Sequence, residues 1–251
     1  MSTTYSTPVT DVQNSHVTIR SFTDKPIPDD MVQTLLDAGR RAPTSSNMQT
    51  YSIMVVRNPE TKKQLAVLAG GQKHIEVCPV FMAFCADIRR LAVACEMHGE
   101  THAKTLESSM VSTVDAALVG MSVQTAAESF GLGAVMIGGM RNHPRQVADL
   151  LGFPPGVFVV YGMCLGWPDE ANIPAQKPRL PESLVVHYEK YDDSDPVERI
   201  RQYDQELAQH YDAQNRNLDQ AAWTGVLAKQ LNAPRRPDLR TTLEGMGFRF
   251  D

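Results

Sequence analysis

The stretch that most limits how this chain folds runs from Ser112 to Phe130, STVDAALVGMSVQTAAESF. Ala116, Ala117, Leu118, Val119, Met121, Val123, Ala126 and Ala127 leave it almost no polar face. A helix that is apolar nearly all round is either central to a fold or buried between subunits. It does not serve as an outer, water-facing crossover. Ser112 with Asp115 resembles a capping pair at its start. Gly131-Leu132-Gly133 stops it, the first glycine suited to the position after the helix, where a positive φ is easily adopted.

The segments around this helix follow from periodicity and punctuation. A helix is predicted over Asp29–Arg40, a polar loop over Ala42–Gln49, a strand over Ser52–Val56 and a helix over Glu60–Leu68 that Gly70-Gly71 breaks. Pro79–Cys85 reads as a strand buried on both faces. Strands at Ala134–Ile137 and Val157–Tyr161 enclose a helix at Arg141–Leu151. Pro168–Pro181, with four prolines, is an extended excursion. Beyond it the composition turns polar, with one short strand at Leu184–Val186 and helices from about residue 188 as a C-terminal extension. Residues 1–13 read as a flexible lead, and residues 14–251 as a single domain. The succession is that of an α+β fold in which helices layer on a sheet.

Composition narrows the function by exclusion. With 42% hydrophobic residues among 251, the chain has material for a sizeable core. A formal charge of −5 gives no reason to expect a nucleic-acid partner. No run approaches 18 apolar residues, so no membrane span is expected. MSTTYSTPVTDVQ lacks the basic and apolar parts of a signal peptide, which points to the cytoplasm. Cys78, Cys85, Cys95 and Cys164 form no CxxC and lie in apolar sequence, as buried free thiols do. His98 and His102 are four apart with no third ligand near, so no metal site is expected. The chain has no GxSxG, no Walker A and no GxGxxG between strand and helix. Ser45 and Ser46 read as turn residues.

What recurs is cations beside loops. His16, Thr18 and Arg20 alternate with apolar neighbours and share one face of an extended segment. Gln72-Lys73-His74 follows the Gly-Gly break, and Lys177-Pro178-Arg179 sits in the proline-rich excursion. Such groups suit a phosphate, for which arginine offers a fork of donors.

Seven segments together resemble the flavin-dependent nitroreductase superfamily, in particular its oxygen-insensitive NADPH nitroreductase and flavin reductase branch. They are HVTIRSFTD (His16–Asp24), APTSSNMQTYSI (Ala42–Ile53), LAGGQKHI (Leu68–Ile75), FCAD (Phe84–Asp87), AAESFGLGAVMIGGMRN (Ala126–Asn142), FVVYGMCLGWP (Phe158–Pro168) and KPRLP (Lys177–Pro181). The resemblance implies a central mixed sheet flanked by helices and an intertwined homodimer with FMN at the interface. It places FMN contacts on His16, Thr18, Arg20, Lys177 and Arg179, on Gln72, and along the ring on Met136, Ile137, Gly138 and Gly139. The partner subunit is expected to contribute Thr44, Ser45, Ser46 and Met48. Val17 stands where close relatives usually have arginine. The arginine that in relatives grips the NADPH 2′-phosphate is here Gln214, with Arg216 two residues on as its substitute, so NADPH or NADH is the reductant. The implied activity is a ping-pong transfer of hydride from NAD(P)H through bound FMN to nitroaromatics, quinones or related small acceptors, with no catalytic protein side chain. The alternatives are a flavin reductase supplying reduced FMN to a partner, and a flavin-binding protein without turnover.

Overall fold

In the computed structural model, which describes residues 5–216 and 222–251, contacts divide the chain into two compact units. The first comprises residues up to Pro174 together with Asp238–Asp251; the second is Ala175–Pro237.

The first unit is built on a four-stranded sheet: β1 (Tyr51–Val56), β2 (Val80–Asp87), β3 (Gly133–Ile137) and β4 (Val157–Gly166), in the order β1-β2-β4-β3. All three ladders are antiparallel, with Tyr51 opposite Ala86, Val80 opposite Leu165 and Gly133 opposite Gly166. Among the described residues, the parallel part of the expected mixed sheet is confined to one isolated bridge, Thr18 to Ala134. Every residue of β2 and β4 is buried, as central strands covered on both faces must be. β4 runs to Gly166, past the predicted end at Tyr161. Gly162 within it faces Phe81, whose ring would lie 2.1 Å from a Cβ there.

The central helix spans Leu106–Ser129, and its start differs from the sequence reading. Thr105 is the cap, its Oγ1 accepting the Ser108 N–H at 3.2 Å. Ser112 instead bonds back to the Ser109 carbonyl within the helix, and Asp115 turns into the core. The first turn, LESS, is too polar to extend the apolar pattern that marked the rest. One face of the helix, through Ala116, Val119, Val123 and Ala127, packs into the core. It lies against β2 and the helix Asp29–Gly39, where a Cβ on Gly39 would come within 2.6 Å of Val123 Cγ2. Another face carries Met110, Val114, Leu118 and Met121, all exposed. Two apolar faces, one inside and one outside, explain why the sequence showed hardly any polar side.

Other differences have local causes. Residues 8–14 form a helix, with Thr7 and Thr10 capping each other reciprocally and Pro8 at its first position. The helix expected at Arg141 begins only at Pro144, after a 3₁₀ turn over Gly138–Arg141. The residues expected as a strand at Leu184–Val186 lie mostly in a short helix, Glu182–Val185, entered from Pro181; among the described residues no neighbouring strand pairs with them. Cys78, Cys85 and Cys164 are buried, whereas Cys95 is only partly so; all four are free.

The second unit has its own small cluster. Tyr203, Leu207, Ala208 and Tyr211, on the helix Pro196–Asp212, pack with Ala222. Trp223 meets Tyr203 edge to face with centroids 5.6 Å apart. Asp204 receives the N–H groups of Trp223 and Thr224 and the Thr224 hydroxyl, tying the start of the helix Thr224–Leu231 to the longer one.

Candidate functional site

Three of the segments singled out by sequence meet in the first unit. The extended residues His16–Arg20 run beside β3: Ile19 donates to the Ala134 carbonyl at 3.0 Å and its side chain is buried. Gly133 makes this approach possible, because a Cβ there would lie 2.6 Å from Ile19 Cβ. Chain alternation then turns His16, Thr18 and Arg20 to the opposite side from Ile19. Arg20 is exposed, and among the described residues no carboxylate is paired with it. His16 Nδ1 lies 2.6 Å from Glu128 Oε1 near the end of the central helix, and Gln124 donates to the same oxygen at 3.0 Å.

Past the exposed Met136 and the buried Ile137, β3 runs into Gly138-Gly139. Gly139 faces the Gly70-Gly71 break: a Cβ on it would lie 2.5 Å from the Ala69 carbonyl oxygen and 2.6 Å from Gln72 Nε2. The position therefore excludes any side chain. Gln72 is held there by its own bond to the Ala69 carbonyl, 2.9 Å. Both glycines of the break have positive φ, 90° and 78°, which lets the chain reverse. Arg141 donates to the Val160 carbonyl and stands close to Gly138.

His74 is a member of this group that the sequence reading did not single out as a cofactor contact. Its Nε2 is buried and, among the described residues, without a hydrogen-bond partner. Burial, and then the charge of Arg20, push its pKa down, so the ring is neutral near pH 7. A buried ring nitrogen lacking a partner beside an arginine lacking a carboxylate is an arrangement that an anionic ligand would complete. The Gly-Gly backbone leaves room for a flat group to approach the main chain. The residues present thus fit the phosphate and ring of the flavin that the resemblance implies. The sequence signal for His74 lay in the triplet Gln72-Lys73-His74, of which Lys73 turns out to pair with Glu76 at 2.8 Å.

The expected loop residues Thr44, Ser45, Ser46 and Met48 are not brought into this group. Their loop is fastened to Asp115, thirteen positions before Glu128 on the same helix, which is about 20 Å along its axis. Within one chain the loop and the His16 side thus stand apart.

Lys177, Arg179 and Arg216 belong to the second unit. Lys177 Nζ lies 5.5 Å and the Arg216 guanidinium 4.9 Å from the centre of the Tyr211 ring, so two cations attend one aromatic ring. Tyr203 donates to the Pro178 carbonyl at 3.1 Å, holding the Lys177-Pro178-Arg179 segment. Gln214 is committed locally, donating to the His210 carbonyl at 2.9 Å, while Arg216 is exposed.

Comparison with known proteins shows the family. The nitroreductase family model matches residues 14–167, and the model of that family's C-terminal domain matches residues 177–251. The chain is 36% identical to the NADPH-flavin oxidoreductase of Vibrio harveyi over 93% of this chain and 95% of that one. It is 35% identical to the FMN reductase [NAD(P)H] of Bacillus subtilis, covering 94% and 96%. The oxygen-insensitive NADPH nitroreductase of Salmonella typhimurium is 35% identical, with 96% and 98% covered. Among solved structures, NfrA2 of B. megaterium superposes with a TM-score of 0.93 at 34% identity, over 98% of this chain and all of that one.

Proposed function

This chain belongs to the nitroreductase family, and from that premise we propose that it is an FMN-dependent oxidoreductase that uses NAD(P)H to reduce nitroaromatic, quinone or related small acceptors by a ping-pong mechanism. The observation that supports this reading is the convergence of His16–Arg20, Gln72–His74 and Met136–Gly139 in the first unit.

When bound, the flavin supplies the hydride-accepting and hydride-donating chemistry, so no protein nucleophile or metal is called for. The protein's contribution is position and electrostatics. Arg20, Thr18 and His16 are assigned to the phosphate, with His74 Nε2 as a further donor or acceptor. Gln72 and the residues from Met136 to Gly139 are assigned to the ring, with main-chain N–H groups brought close by the two glycines. Of the second unit's residues, Lys177 and Arg179 are assigned to phosphate and Arg216 to the 2′-phosphate of NADPH. A second copy of the chain is the partner we infer. The exposed Met110, Val114, Leu118 and Met121 repeat on one helix face, beside a groove of about 580 Å³ lined by Pro8, Val9 and Val12. An apolar stripe of that kind suits a self-complementary contact. That copy would bring Thr44, Ser45, Ser46 and Met48 to the flavin. Free flavin is a second acceptor to consider, because two of the relatives carry names that make them flavin or FMN reductases.

The test is an anaerobic visible spectrum of the purified protein before and after one equivalent of NADPH, with NADH in parallel. A flavin band that bleaches at once supports the proposal. A band that persists with both reductants, or a protein that binds no added FMN, refutes it.

A further inference from the structure

The loop that leads into β1 is strained. Ser46, Asn47 and Gln49 all have positive φ, at 48°, 56° and 51°. For residues with a Cβ this conformation carries a steric penalty and persists only where the surroundings over-determine it. Here the surroundings are specific. Asp115, 1% exposed on the central helix, accepts the Ser45 N–H on Oδ1 at 3.1 Å. On Oδ2 it accepts the Thr50 N–H at 3.0 Å and the Thr50 hydroxyl at 2.7 Å. One carboxylate thus grips the loop at both ends. From the other side Arg90 donates to the carbonyls of Gln49 and Tyr51, and is itself held by Asp87 at 2.8 Å.

A buried carboxylate needs donors, and among the described residues no cation is paired with Asp115. The three donors it has all come from the ends of this loop, so they are satisfied together only when the loop holds this shape. The loop residues themselves, Ser45 to Asn47, are exposed and face outward from the chain. We propose that Asp115 is a positioning residue that sets the Thr44–Gln49 loop in the shape that meets a flavin held by a second copy of the chain, so that one chain's Asp115 governs affinity at the other chain's site. The inference rests on the cofactor reading above. It goes beyond it by placing control of the site on a residue that touches neither cofactor nor substrate.

Replacing Asp115 by asparagine keeps the volume but turns one acceptor into a donor, facing another donor. The Asp115→Asn homodimer should bind FMN at least tenfold more weakly than the wild type, read by quenching of flavin fluorescence. The decisive measurement uses a mixed dimer, isolated by two affinity tags, of one Asp115→Asn chain and one Arg20→Ala chain. If the loop acts on the partner's flavin, both lesions fall on one site and the other is intact. Half of the FMN should then bind with the wild-type Kd. Two weakened sites, neither with the wild-type Kd, would show that the loop serves its own chain and would overturn the inference. So would an Asp115→Asn homodimer that melts earlier but binds FMN normally, or the failure of two tagged wild-type chains to pair. Thr50→Val, which removes a single donor, provides the same comparison if Asp115→Asn does not fold; a several-fold weaker Kd, with the wild-type half retained in the mixed dimer, is expected. Wild-type protein that binds no FMN, or an Arg20→Ala homodimer that binds it as the wild type does, would instead refute the cofactor reading and the inference with it.

Discussion

Replacing Gly120 with alanine sets two effects of opposite sign against each other. On helix propensity alone the change should stabilise the central helix by about 1 kcal/mol. The structure opposes this, because a Cβ at position 120 would lie 1.8 Å from Tyr161 Oη and 2.8 Å from Cζ, where ordinary contact starts at 3.4 Å. Tyr161 cannot swing away cheaply. Its ring stacks on Phe84 with centroids 5.3 Å apart, and it is 8% exposed. Its hydroxyl reaches the Ala116 and Ala117 carbonyls, each at 3.3 Å. Overpacking of this kind costs about 1–3 kcal/mol. Pushing the hydroxyl off its acceptors while it stays buried adds about 1–3 kcal/mol. The net destabilisation is then roughly 1–5 kcal/mol, or a fall in Tm of about 2–20 °C for a protein of this size. Urea unfolding followed by far-UV circular dichroism measures it. Tyr161→Phe alone should cost about 1 kcal/mol, and in the double variant it should recover at least 1 kcal/mol, since the atom in closest conflict is gone. A Gly120→Ala protein as stable as the wild type, or more so, would show that the sheet does not press on the helix as described.

Three further outcomes are expected. Glu128→Gln weakens the 2.6 Å contact that orients His16, and should raise the Kd for FMN about fivefold, equivalent to about 1 kcal/mol, without changing the far-UV spectrum. Burial pushes the Asp204 carboxyl up, but the Thr224 hydroxyl and the N–H groups of Thr224 and Trp223 outweigh it and hold it below its ordinary value. The folded chain therefore binds fewer protons there than the unfolded one. The stability Asp204 contributes is complete above about pH 4 and is lost as pH falls through the depressed value. Asp204→Asn should lower the urea midpoint at pH 7 and flatten the acid limb of the stability profile below about pH 4. Arg216→Ala should reduce kcat/KM for NADPH relative to NADH about tenfold, a loss of about 1.4 kcal/mol; an unchanged ratio would show that Arg216 does not read the 2′-phosphate.

Much of this architecture was legible in residue order, and the parts that were not share a cause. Val80–Asp87 and Asp29–Gly39 announced themselves because burial on both faces, or on one stripe, leaves a period in the sequence. The first turn of the central helix did not, because its polar residues, held by the Thr105 cap and by the distant Arg249, carry no apolar period. Leu184–Val186 looked like a strand from side chains alone, but a strand needs a neighbour and none of the described residues supplies one. In the site, motif spacing led to Arg20, Gln72 and Gly139, whereas Asp115 and Glu128 act through bonds to residues far away in sequence, and His74 is marked only by the burial of its ring nitrogen. Asp115 read as a cap partner because its distant donors, Ser45 and Thr50, are invisible until the chain is folded.

The first unit is interrupted by the second and resumed only at Asp238, and the resumed piece is not a trailing strap. Phe248 is wholly buried, with its ring edge-on to Phe158 at 4.7 Å, and Arg249 offers its carbonyl to Ser109 at 2.7 Å. A ribosome that has made the sheet and the central helix has therefore not yet made the residue that plugs their core. Chains stalled anywhere in the sixty-odd residues before Asp238 present an open apolar socket around Phe158, a surface that holdase chaperones and proteases recognise. Synthesis of Phe248, rather than arrival of the last strand, is the event that closes this core.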